Sequence, residues 1–95
     1  MNLEKAKKRI AHQVKKGFKG YPLVSIAYYG ETEALATKVV IQFIGAEGEV
    51  PQAQEFESQS EIREDETIQS VLVKIIERAN ASSVEQVDGV GLIAG

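Results

Sequence analysis

The amino-acid sequence predicts one α+β domain over residues 1–95, a two-layer sandwich in which two helices pack on a three-stranded antiparallel sheet. Two segments, one near each end of the chain, repeat apolar residues at helical spacing. Three segments between them are strand-like and are joined by short connections, which favour antiparallel pairing. The predicted order is therefore helix, strand, strand, strand, helix, followed by a short C-terminal tail. No linker-like stretch divides the chain, so we predict a single domain.

The first helix is predicted from Asn2 to about Lys16. Asn2 is a suitable N-cap, and Gly17 or Gly20 is a suitable end. Pro22 favours an extended conformation for the residue before it, so the helix has ended by that point. The apolar positions share one helical face, and they are Leu3, Ala6, Ile10, Ala11, Val14 and, one turn further, Phe18.

Three strands are predicted in the middle of the chain, at residues 23–29, 38–44 and 50–58. The first two are rich in β-branched and aromatic residues, and the glycines of GAEGE at 45–49 mark a hairpin turn. The third is polar and has Pro51 near its start, which is typical of an edge strand. The helices are expected on one face of the sheet. Because the first two strands carry large apolar residues on both faces, either the helices take opposite faces, or the tail or a second copy covers the other face.

The second helix is predicted to follow Asp65 as its N-cap and to end near Asn80 as its C-cap. Its apolar positions form one stripe, and they are Ile68, Val71, Leu72, Ile75, Ile76 and Ala79. We place Ile75 and Phe43 in the core. Truncating either side chain to alanine is expected to lower the free energy of unfolding by about 2 to 5 kcal/mol.

The C-terminal region contains two overlapping capping boxes, Ser82 with Glu85 and Ser83 with Gln86. These pairs predict a short helical turn before Asp88. The last seven residues, GVGLIAG, are apolar and glycine-rich. They either add a short strand or remain as a tail.

Charge is distributed unevenly along the chain. The first twenty residues hold seven basic side chains and one acid, which is a net +6, and the remaining residues hold four basic side chains and thirteen acids, which is a net −9. Residues at steps of three or four form a basic stripe on the first helix, and they are Lys5, Arg9, His12, Lys16 and Lys19. The residues assigned to partner or nucleic-acid binding are Lys5, Lys8, Arg9, His12, Lys15, Lys16 and Lys19.

The order helix, three strands, helix resembles that of double-stranded RNA-binding domains, which are of about this length and recognise RNA largely by shape. The resemblance implies that the basic helix binds phosphates. In that family a lysine-rich start of the second helix also contacts phosphates, whereas this chain is acidic there, with EIREDE at residues 61–66. Nucleic-acid binding is therefore the alternative interpretation. An anionic lipid surface, or simply the solvated side of an amphipathic helix, also fits the lysines.

No catalytic, cofactor or metal site is predicted. The chain has no cysteine, and its single histidine, His12, has no second imidazole or thiolate with which to bind zinc. The acidic pairs at residues 31/33, 47/49 and 55/57 lack the spacing of a calcium loop and are typical of edge strands that resist aggregation. No apolar stretch is long enough to span a bilayer, and no signal core follows the basic N-terminus, so a cytoplasmic location is expected.

These patterns predict a small non-enzymatic interaction module without a cofactor. We expect it to self-associate, most simply as a homodimer, because both faces of the sheet are apolar. We expect its charged face to bind a protein partner, since charge complementarity orients such complexes. A nucleic-acid-binding domain that uses the basic first helix is the alternative.

Overall fold

The computed structural model describes residues 2–93 and confirms an α+β fold with two α-helices. The elements are, in chain order, α1 (Leu3–Lys15), β1 (Leu23–Gly30), β2 (Lys38–Ile44), β3 (Gln52–Glu57), a 3-10 turn (Ile62–Glu64), α2 (Glu66–Ala79) and β4 (Ser83–Leu92). Within residues 2–93 the sheet therefore has four strands, whereas three were predicted from the sequence.

The strand order is β3-β2-β1-β4, and the sheet is mixed. β1 pairs with β2, and β2 with β3, in antiparallel fashion, whereas β4 pairs with β1 in parallel. The prediction of a purely antiparallel sheet is wrong because α2 carries the chain back across the sheet, so that β4 runs in the same direction as β1. β3 lies at one edge, as predicted.

The segment predicted as a short helical turn forms the first half of β4. Ser83 does not cap a helix: its Oγ accepts a hydrogen bond from the Lys19 N–H at 2.6 Å and donates one to the Gly20 carbonyl at 2.7 Å. The N–H groups of Ser82 and Ser83 donate to the Pro22 carbonyl. Capping signals are worth only about 1 kcal/mol, and pairing along the free edge of β1 satisfies many more backbone groups. Residues 94 and 95 of the predicted tail lie outside the described residues.

The predicted helix caps are confirmed. The Asn2 side chain accepts a hydrogen bond from the Lys5 N–H, and the Asp65 side chain accepts one from the Ile68 N–H, both at 2.9 Å. Asn80 ends α2 in the left-handed conformation, with φ of 50°.

Both helices lie on one face of the sheet, where their buried side chains join those of the strands. This core consists chiefly of Ala6 and Ile10 from α1, Leu72, Val73 and Ile76 from α2, Val24, Ile26 and Tyr28 from β1, and Val39 and Ile41 from β2. The helices do not take opposite faces, and β4 extends the sheet instead of covering it. The second face, which we call the open face, has Ala27 of β1 opposite Val40 of β2, both half-buried.

The buried side of α2 is turned towards α1 relative to the predicted stripe. Gln69 and Val73 are buried although they lie outside the stripe, whereas Val71 and Ile75, inside it, are half-buried. α2 packs against α1 and also covers the sheet. Its side chains that lie between those two surfaces are therefore the least exposed to solvent. Phe43 is likewise only half-buried.

The connector before α2 is tied to the β1–β2 loop through the 3-10 turn. Ile62 is fully buried, and its N–H donates to the Ala36 carbonyl at 2.7 Å. The Glu61 carboxylate accepts hydrogen bonds from the Arg63 guanidinium, at 2.8 Å to Nε, and from the Ala36 N–H at 3.2 Å. The hydrogen bonds from Arg63 are the main reason why the pKa of Glu61 falls to about 2. Ile62, an isolated apolar residue in a polar connector, therefore anchors this connector in the core.

Candidate functional site

The candidate site is the exposed surface of α1 together with the cleft beside it. All the residues assigned to binding from the sequence are exposed, and they are Lys5, Lys8, Arg9, His12, Lys15, Lys16 and Lys19. The site forms because Ala6 and Ile10 anchor the opposite side of α1 in the core. At 3.6 residues per turn, this anchoring directs the polar side of the helix outwards.

Four residues of α1 and its C-cap form what we call the outer basic face, and they are Lys5, Lys8, His12, Lys15 and the C-cap Lys16. They occupy roughly 100° of the helix circumference, approximately opposite Ala6 and Ile10. Within residues 2–93, none of these lysines makes an ion pair with a carboxylate of the same chain. Their charge is therefore available to a partner.

Two other cations of α1 are neutralised on its flanks. Arg9 pairs with Glu77 of α2 at 3.1 Å, and Lys7 pairs with Glu64 of the 3-10 turn at 2.7 Å. Each of these pairs is largely exposed, so each stabilises the fold by no more than about 1 kcal/mol. The basic stripe predicted from the sequence included Arg9, but the structure turns Arg9 towards α2 and brings Lys8 and Lys15 into the outer face.

Lys19 lies beyond the end of α1, in the loop that leads to β1. The hydrogen bond from its N–H to Ser83 holds this loop against the start of β4. Gly17 and Gly20 have positive φ angles of 73° and 100°, which let the chain turn here. Phe18, predicted to continue the apolar face, is instead exposed and contacts Tyr21 edge to face, with ring centroids 5.5 Å apart.

Acidic side chains are concentrated at the other edge of the sheet. β3 carries Glu55 and Glu57, and the preceding turn carries Glu47 and Glu49, all of them exposed. Only Glu55 among them is paired within the described chain, with Lys38 at 3.4 Å. α1 contacts α2 and β4, and β4 forms the edge opposite β3. The separation of basic and acidic residues along the sequence is thus also a separation in space, with the basic α1 near the β4 edge of the sheet and these acidic residues at the β3 edge.

A cleft of about 680 Å³ lies between α1, β4 and the connector that contains the 3-10 turn. Lys8, Ala11 and Lys15 line it from the helix, and Gln86 and Asp88 line it from the strand. The buried side chains that border it include Ile10, Tyr28 and Gln69. We call this space the α1–β4 cleft.

Tyr28 and Gln69 form a buried polar pair next to the cleft. The Gln69 amide donates to the Tyr28 hydroxyl at 3.1 Å and to the Ile62 carbonyl at 3.2 Å. Burial raises the pKa of Tyr28, and the hydrogen bond with Gln69 offsets this only in part. Tyr28 therefore stays neutral at ordinary pH and serves as a fixed surface of the cleft. No local sequence pattern predicts this pair, since its two residues are brought together only by the packing of α2 on β1.

His12 is exposed on α1. Among residues 2–93, no three His, Asp or Glu side chains come close enough together to hold a metal ion. In the same range no helix combines the length and the apolar content needed to cross a bilayer.

None of the protein-family models, curated proteins or solved structures compared with this chain matches it. Its function is therefore inferred from the geometry and charge of the molecule itself.

Proposed function

We propose that this protein is a small non-enzymatic interaction module whose outer basic face binds an acidic surface of a partner protein. The observation that carries the proposal is the contrast around α1. Its flank cations, Lys7 and Arg9, are paired within the chain, whereas the lysines of the outer basic face have no such partners among the described residues. Unpaired like charges on one helix face gain most from a carboxylate-bearing partner.

The width of the cationic surface favours protein over nucleic acid. Glu77 lies on the α2 side of α1, and Asp88 lies across the α1–β4 cleft. Carboxylates thus limit the width of the lysine strip on both sides, whereas a duplex needs several adjacent phosphate contacts. A discrete acidic patch on a protein needs only the narrow strip of lysines. The acidic start of α2 adds to this preference, because Glu64 neutralises Lys7 there.

The experiment measures binding of a fluorescein-labelled polyglutamate peptide, a duplex RNA and a duplex DNA at low salt. We expect the peptide to bind in a salt-dependent manner, and we expect Lys8→Glu/Lys16→Glu to weaken it at least tenfold. Lys74→Glu/Arg78→Glu, with the same charge change on exposed residues of α2, is the matched control and should lose less than threefold.

Two results would overturn the proposed use of α1. The first is an absence of peptide binding at low salt. The second is tighter binding of either duplex than of the peptide, lost in Lys8→Glu/Lys16→Glu, which would establish the nucleic-acid alternative.

Self-association through the open face of the sheet is the second part of the proposal. Its support is the three half-buried apolar side chains Ala27, Val40 and Ile44 on that face, which are not part of the core beneath the helices. Four strands of about seven residues offer roughly 450 Å² per subunit, below the ~800 Å² of a standard interface. The dimer proposed here is accordingly weak, in the micromolar range or above.

Sedimentation velocity over a concentration series tests the dimer. We expect a rise in sedimentation coefficient at high micromolar concentration, and its loss in Val40→Glu. Val50→Glu places the same charge on a side chain that is 85% exposed in the β2–β3 turn, and it should leave association unchanged. A strict monomer at high concentration, or equal effects of both variants, would rule the dimer out. A melting curve for each variant confirms that the protein is folded.

A further inference from the structure

We infer that the α1–β4 cleft holds an extended segment of the partner in which an acidic residue recurs at every third position, each followed by a bulky apolar one. The inference rests on the proposed function, since it names the part of an acidic partner that this module recognises. It also locates recognition in the cleft instead of on the outer basic face as a whole.

The cleft combines an apolar surface with cations at its rim. Ile10 and Tyr28 are buried at its border, and Val14 is half-buried there. Ala11, predicted from the sequence to face the core, is exposed and lines the cleft instead. A small side chain at this position leaves room for an apolar group of the ligand against Ile10 and Val14. Binding sites of this size are typically apolar with a few placed polar groups.

The charges that remain after internal pairing are positive on balance. Lys7 is paired with Glu64 and Arg63 with Glu61, so these four lining residues cancel. The lining charges without an ion pair in the described chain are then two cations on α1, Lys8 and Lys15, and one anion on β4, Asp88. An acidic ligand is attracted by these two lysines on the helix side of the cleft and repelled by Asp88 across it.

The spacing of the two lysines suits an extended chain. Lys8 and Lys15 are seven residues apart, which is about 10 Å along the helix axis. An extended peptide in the polyproline II conformation advances about 3.1 Å per residue and has three residues per turn, so acidic residues three positions apart lie on one face and match this separation. An apolar residue between them would lie near Ala11, which is midway between the two lysines in number.

β4, which lines the cleft opposite α1, pairs irregularly with β1 at this point. The pairing of β4 with β1 shifts register between Ile26 and Tyr28, and Gly89 adopts a positive φ of 77°. Bulges of this kind re-aim side chains next to binding sites. Gln86 and Asp88 remain exposed here although they border the helix layer.

The test uses fluorescence anisotropy with a labelled peptide of three Glu-Phe-Ser repeats. Two companion peptides replace Glu by Gln, or Phe by Ser. We expect the Glu-Phe-Ser peptide to bind at least tenfold more tightly than either companion, because the cleft offers both lysines and an apolar surface.

Paired variants then separate the cleft from the rest of the helix. Lys8→Gln/Lys15→Gln removes the two lysines that line the cleft, and Lys5→Gln/Lys16→Gln removes two that do not. We expect the first pair to weaken binding of the Glu-Phe-Ser peptide at least tenfold, and the second, which belongs to the outer basic face but not to the cleft, by only about threefold. Asp88→Asn removes the opposing charge and should tighten binding two- to fivefold, a gain that a purely structural role would not produce.

The outcomes distinguish failure of this inference from failure of the proposed function. Equal losses in the two lysine pairs, or equal binding of the peptides with and without Phe, overturn the cleft and leave recognition by the outer basic face intact. Absence of binding to the Glu-Phe-Ser peptide, to its companion in which Ser replaces Phe, and to polyglutamate overturns both this inference and the proposed function. Equal binding of the Glu and Gln peptides overturns the acidic character of the segment.

Discussion

The two helices of this domain are similar in length and amphipathicity but differ in how much of each is buried. α1 has 13 residues, of which Ala6 and Ile10 are buried. α2 has 14 residues and contributes four buried side chains, from Gln69 to Ile76. The buried side chains of α2 lie in the core shared with the sheet, whereas most residues of α1 are exposed. α2 therefore contributes mainly to the stability of the fold, whereas α1 is mainly a displayed helix, with most of its surface exposed to solvent and accessible to a partner.

The largest expected effect is on the free energy of unfolding when α2 loses a buried side chain. Leu72→Ala removes a fully buried group and should cost about 2 to 5 kcal/mol in urea denaturation. Ile75→Ala and Phe43→Ala, placed in the core from the sequence, should cost less, about 1 to 2 kcal/mol, because both side chains are half-buried. If Ile75→Ala proves as costly as Leu72→Ala, the buried side of α2 is not the one described above.

A second expected effect concerns the polar pair that joins α2 to β1. Gln69→Leu leaves the buried Tyr28 hydroxyl and the Ile62 carbonyl without the amide, at a cost of about 1 to 3 kcal/mol. Adding Tyr28→Phe removes one of the two orphaned groups and should recover part of this loss. A double-mutant cycle in urea with no coupling between positions 28 and 69 would contradict the hydrogen bond as a stabilising contact.

The third effect is the pH dependence that Glu61 gives to the connector before α2. Its pKa in the folded chain is about 2, below the ordinary value of 4.5. The carboxylate therefore stabilises the fold fully above about pH 4.5, and this contribution is lost as pH falls towards 2. For a partly exposed pair with Arg63 the loss is on the order of 1 kcal/mol. Unfolding measured from pH 6 to 2 should show a shallower decline in Glu61→Gln, and an identical decline would contradict it.

The smallest expected effect on stability belongs to the displayed helix. Lys8→Gln/Lys15→Gln, expected to weaken peptide binding, should change the free energy of unfolding by less than about 0.5 kcal/mol, since both side chains are exposed. Urea midpoints of this variant and of wild type should agree within error. A decrease in the free energy of unfolding above about 1 kcal/mol would mean that these lysines of α1 stabilise the fold, and it would contradict the difference between α1 and α2.

Local signals accounted for much of the fold. The caps at Asn2, Asp65 and Asn80, the strand at residues 38–44 and the edge position of β3 were all predicted correctly. Each depends on a few neighbouring residues, such as a side-chain oxygen three positions before an amide or a proline at the start of a polar strand. The exposure of the binding residues was also readable, because charged side chains on an amphipathic helix lie away from its apolar face.

What the sequence by itself determined is therefore the two helices, three of the four strands and the separation of charge between α1 and the rest of the chain. Only the tertiary structure decided that Ser83–Leu92 pairs in parallel with β1, that Arg9 is neutralised by Glu77, and that a cleft lies beside Lys8 and Lys15. Helical periodicity and caps are local properties of the chain. The fourth strand, the ion pairs and the cleft depend on segments about sixty residues apart, which meet only when α2 brings β4 back to β1.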